Sequence, residues 1–106
     1  MTELQCKRCA EILHHYGVQE QRRQLVEECA ELIQAVSKLH RADYRDAGAA
    51  FDNFLEELAD VEIMVEQMKQ TLIPSELDKL GRIETAKINR QLRRITLEET
   101  GAIGDV

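Results

Sequence analysis

The sequence predicts an all-α protein built from four helices. Three observations carry that prediction. Proline and glycine, the main breakers of regular structure, number only one and five in 106 residues. Apolar residues recur at alternating spacings of three and four over long stretches, the period of a packed helix face. No segment alternates apolar and polar residues in the manner of a strand.

Each helix has its own signature. Residues 3–16 carry a loose apolar stripe of Leu4, Cys9, Ile12 and Leu13, with Gly17 as the stop. From about Gln19 to Ala42, Leu25, Cys29, Leu32, Val36 and Leu39 form a clean seam. The connection "HRADYRDAG" follows, with Asp46 as the expected N-cap. From about Ala49 to Leu72, Phe51, Phe54, Leu58, Val61, Val65, Met68 and Leu72 repeat the seam. Pro74 ends that helix and Ser75 is placed to cap the next. Leu77, Leu80, Ile88, Leu92 and Ile95 give the fourth helix one seam, broken by Glu84. The expected organisation is one helical domain over residues 1–96 and a frayed tail over 97–106.

Composition narrows the class. About 43% apolar and 32% charged residues suit a folded, water-soluble chain. No apolar run approaches the roughly 20 residues that span a bilayer, so no membrane partner is expected. The N-terminus lacks a signal-peptide pattern, which makes a cytoplasmic location the default expectation. The net charge of −6 does not favour a nucleic-acid polymer as partner. Positive charge is concentrated in Lys79, Arg82, Lys87, Arg90, Arg93 and Arg94, which suits either a smaller anionic partner or a solvated helix face. Cys6 and Cys9 form a lone CxxC, and Cys29 stands apart. Without a second CxxC or a βαβ pattern, reduced structural thiols are the simpler reading than zinc or redox chemistry.

The two central helices share a pattern. "VEECAEL" (26–32) and "LEELADV" (55–61) each place three carboxylates on seven residues. At about 100° per residue, Glu28 and Glu31 lie roughly 60° and 120° from the centre of their seam, on one flank. Glu57 and Asp60 lie at nearly the same offsets on the third helix. If these shoulders face each other in an antiparallel pair, four carboxylates converge. Like charges so placed repel and need compensation. The nearest cation on the same shoulder is Lys38, two turns beyond Glu31. A hard divalent cation such as Mg²⁺, or Mn²⁺ in its place, would compensate with oxygen ligands alone. Ala35 leaves room beside the acids, and Gln24, one turn before Glu28, offers a neutral hydrogen-bonding head. The plainer alternative for each acidic motif is a solvated helix face, which the two matched copies at one phase disfavour.

Glu27-Glu28-x-x-Glu31, then 25 residues, then Glu57-x-x-Asp60 resembles the EExxE…ExxD signature of the all-α NTP pyrophosphohydrolases. These are the MazG-like proteins and the related dimeric dUTPases and dCTPases. "LVEECAELIQAVSKL" and "FLEELADVEIMV" also look like the central helices of small MazG-like proteins, and the resemblance covers roughly residues 19–95. It implies a four-helix MazG-like bundle completed by oligomerisation as a homodimer or homotetramer. It implies Mg²⁺-dependent cleavage of a nucleoside triphosphate between the α and β phosphates, giving a monophosphate and pyrophosphate. Glu28, Glu31, Glu57 and Asp60 would hold metal, and Glu27 would be an outer catalytic acid. Lys87 and Arg90 resemble the family's phosphate-contacting cations, and Lys38 and Gln24 join them as candidate substrate contacts. The chain departs from several relatives in having no tryptophan to stack a base.

Two other readings compete. A carboxylate-bridged di-iron bundle wants a Glu-x-x-His on each of two helices, and only Glu11–His14 is present. A non-catalytic helical dimerisation module explains the seams but not the matched acids on their shoulders.

Overall fold

The computed structural model describes residues 1–101, and they form four helices and no strand. These are α1 (Glu3–Tyr16), α2 (Val18–Arg41), α3 (Ala47–Lys69) and α4 (Pro74–Glu99). The all-α class predicted by the periodicity is the class observed. No helix is long and apolar enough to cross a membrane. The chain divides into two compact units, Met1–Thr71 and a second that begins at Leu72.

In the first unit, α2 and α3 form an antiparallel pair, and α1 packs on both. Thr2 caps α1 through a capping box: its hydroxyl accepts from the Gln5 N–H at 3.1 Å, and the Gln5 side chain accepts from the Thr2 N–H at 2.8 Å. Gly17 ends α1 as expected. It sits at φ +89°, a region that penalises a Cβ, and its N–H donates to Leu13 O at 2.8 Å. Its own carbonyl then receives the first bond of α2, from the Gln21 N–H. One residue therefore closes one helix and opens the next.

The turn before α3 differs from expectation. Asp46 occupies the N-cap position, but its side chain makes no capping bond. Asp43 serves the turn instead, accepting from the Arg45 N–H at 2.9 Å and the Asp46 N–H at 3.2 Å. The Arg45 side chain beside it holds the Asp43 carboxyl below its ordinary value. α3 also ends sooner than the apolar pattern does, at Lys69, and the Thr71 hydroxyl donates back to Met68 O. Expected seam residue Leu72 thus lies beyond the helix.

The expected seams of α2 and α3 are met in part, with Leu25, Cys29, Leu32, Leu39, Phe54, Leu58, Val61 and Met68 half-buried. Val36, Phe51 and Val65 are exposed, whereas Ala35, Met64, Gln21 and Gln67 are buried. The small side chain of Ala35, 1% exposed, permits the close approach that draws the flank inward. Burying Met64 stabilises by about 2 kcal/mol. What the sequence presented as the shoulder of each helix therefore reaches the interface, with Glu28 and Glu57 half-buried and Glu31 and Asp60 exposed. In α1 the stripe is likewise partial: Cys9 is buried, while Leu4 and Ile12 stay exposed.

The second unit is α4. Pro74 is its first helical residue, where the missing N–H has no cost, and Ile73 holds the cap position rather than Ser75. The Glu76 carboxylate accepts from the Ile73 N–H at 3.0 Å. The helix runs through Glu99, into the stretch expected to fray, and residues 102–106 of that tail lie outside the described residues. α4 has no buried residue, and Ile88, Leu92 and Ile95 of its seam are exposed.

Candidate metal centre

The antiparallel register of α2 and α3 sets the site. Gln21 meets Gln67 at one end of the pair. Each step forward along α2 from there is matched by an equal step back along α3. Glu28 therefore falls across from Asp60, and Glu31 across from Glu57. All four carboxylates converge: one oxygen of each lies within 4.8 Å of those of the other three. The sequence expectation of a four-acid cluster is met in geometry. Glu28 and Glu57 are half-buried, and Glu31 and Asp60 sit on the open side.

The electrostatics are strained. Glu31 is raised above its ordinary carboxylate value, chiefly because it shares a hydrogen bond with Glu57 and faces its charge. Asp60 is raised by partial loss of hydration and by the charge of Glu28. Two buried oxygens, Glu28 Oε2 and Glu57 Oε2, have no hydrogen-bond partner among the described residues. Buried polar atoms are ordinarily paired, so these two oxygens are open to accept from a donor or to ligate a cation. Oxygens around an octahedral Mg²⁺ at about 2.1 Å stand roughly 3–4.2 Å apart. All four donors are hard carboxylate oxygens gathered in one place, so the donor set fits a small hard cation.

Three further expected site residues, Gln24, Glu27 and Lys38, lie on α2. Gln24 Nε2 donates to Glu28 Oε1 at 2.7 Å, which ties it to a cluster acid. Glu27 is exposed, lies outside the four-acid group and pairs with Arg23 at 3.3 Å. Glu56, the remaining acid of the second motif, is exposed. Lys38 lines a cavity of about 520 Å³ with Arg41, Asp46, Asn53 and the small residues Ala42, Ala49 and Ala50. Asn53 stands one turn before Glu57, so the cavity lies next along the groove from the acids. Lys87 and Arg90 belong to α4 in the second unit. Both are exposed, and Lys87 borders a surface groove with Ile88 and Leu92.

Sequence reasoning passed over Arg41 and Asn53. The repeat itself carried a signal for Asn53, which precedes Glu57 by one turn as Gln24 precedes Glu28. Arg41 follows Lys38 by three residues and shares its face. The thiols take no part in the cluster. Cys6 Sγ donates to Glu66 Oε1 at 3.2 Å, and that bond holds its thiol above the ordinary value. Burial does the same for Cys9, and all three cysteines are free.

No family model, curated protein or solved structure matches the chain.

Proposed function

We propose that the protein is a Mg²⁺-dependent nucleoside triphosphate pyrophosphohydrolase, with Glu28, Glu31, Glu57 and Asp60 as its metal ligands. The observation that carries this reading is the convergence of four carboxylates, two of them with buried, unpartnered oxygens. The EExxE…ExxD resemblance supplies the reaction: water adds to the α-phosphorus, the bond to the α–β bridging oxygen breaks, and pyrophosphate leaves. A bound Mg²⁺, or Mn²⁺ in its stead, would polarise the phosphate and make bound water more acidic.

The protein's own part is placement and charge. The α2–α3 pair holds the acids at fixed spacing, and Gln24 orients Glu28. Lys38, with Arg41, offers positive charge in the neighbouring cavity to the substrate's phosphates. Glu27 acts as an outer acid once it leaves Arg23. The assignment of Lys87 and Arg90 to the phosphates rests on the resemblance. The exposed apolar residues of α4 support association of copies of this chain into a homodimer or homotetramer in the cytoplasm.

The same exposed residues favour a second reading, a helical association module without catalysis. A panel of canonical, deoxy and damaged nucleoside triphosphates decides between them. Pyrophosphate release that requires Mg²⁺ and stops with a chelator supports the enzyme. No turnover on any member supports the module.

A further inference from the structure

We propose that the buried Gln21–Gln67 amide pair is a positioning device that fixes the α2–α3 register on which the acidic cluster depends. Its consequence for metal binding rests on the metal-site reading above; its geometry does not. Gln67 is 0% exposed and Gln21 5%, which makes them the only buried polar residues among those described. Gln21 Nε2 donates to Gln67 Oε1 at 2.8 Å, and Gln67 Nε2 approaches Met64 Sδ at 4.0 Å.

Amides in a helix interface cost free energy unless paired. Apolar side chains of like volume would fill the space without that cost. The pair supplies what its neighbours do not, a directional bond. Ala35 is small and Met64 is a flexible thioether, so neither resists sliding. A hydrogen bond between two buried amides is satisfied in one alignment only.

That alignment is the one the cluster needs. Glu28 follows Gln21 by two helical turns, and Asp60 precedes Gln67 by two turns. The amide pair and the Glu28–Asp60 pair therefore repeat the same heptad position on both helices. A slip of one turn is about 5.4 Å, which carries Asp60 out of reach of Glu28. The charges of the acids repel and oppose the register, and a neutral clasp favours it.

The test replaces both amides with an unbranched apolar chain of the same length, Gln21→Met/Gln67→Met, in the full-length protein. Three quantities are read: Tm, Mn²⁺ affinity by calorimetry, and the set of α3 protons giving NOEs to the Ala35 methyl group. The expected result is a Tm equal to or above wild type, an NOE set displaced or doubled, and Mn²⁺ affinity lower by about 10-fold to 100-fold. An unchanged NOE set, or a wild-type affinity, overturns the proposal. If the Met pair does not fold, Gln21→Leu/Gln67→Leu is read in the same way. Failure of both to fold makes the pair a stability element and also overturns the proposal. If wild type binds no Mn²⁺, the metal reading falls by itself, and the NOE set alone decides the register.

Discussion

Gln24 reaches one turn along α2 to donate to Glu28 Oε1 at 2.7 Å, while the other oxygen of Glu28 stays buried without a partner among the described residues. One carboxylate is thus held on one side and left open on the other. A ligand fixed in this way meets a cation without reordering. Removing the outer partner of a metal ligand costs about 10-fold to 100-fold in affinity. Gln24→Leu is expected to lose that much Mn²⁺ affinity by calorimetry, with its helical circular dichroism intact. Wild-type affinity in Gln24→Leu would return Gln24 to a substrate-contact role alone.

The pH dependence has a definite sign. Without metal, the folded protein binds a proton at Glu31 more readily than the unfolded chain, whose ordinary value is 4.5. The stability contributed by this group is therefore full below that value and is lost as pH rises through the raised folded value. In a chelator at neutral pH, Glu31→Gln should melt above wild type, and the gap should close as pH falls toward 4.5. With saturating Mn²⁺ the order should invert, because only wild type keeps all four ligands. Thermal melts at several pH values check both halves. A gap that widens on acidification would contradict the shared-proton geometry.

The sequence made the helix class, the stop at Gly17 and the four converging acids legible, because each follows from spacing along a single helix. The centre of the interface was legible only in part. The apolar seams pointed to Val36, Phe51 and Val65, yet Ala35, Met64 and the Gln21–Gln67 pair are what α2 and α3 bury. Periodicity reports which face is apolar; how closely two helices approach depends on the smallest residue between them. Asp46 stands at the N-cap as expected but makes no capping bond, and the cap of α4 falls at Ile73 instead of Ser75. Asp43 accepts from the Arg45 and Asp46 N–H groups ahead of α3, and Glu76 accepts from the Ile73 N–H at the start of α4.

The exposed face of α4 leads to a prediction about assembly. Ile88 and Leu92 are 59% and 56% exposed, one turn apart. Association would remove that apolar area from water. Sedimentation of wild type should report a dimer or tetramer, and Ile88→Glu/Leu92→Glu should shift it toward monomer without loss of helix content. A monomeric wild type at high concentration would count against assembly through this face.

The central claim is that the carboxylates of α2 and α3 hold a divalent cation. The most direct measurement is Mn²⁺ titration by calorimetry at pH 7.5 of wild type beside Asp60→Asn. Saturable binding by wild type, weakened by Asp60→Asn beyond the roughly 100-fold that an outer partner accounts for, is the predicted result. No saturable binding by wild type, or equal binding by the two proteins, would contradict it.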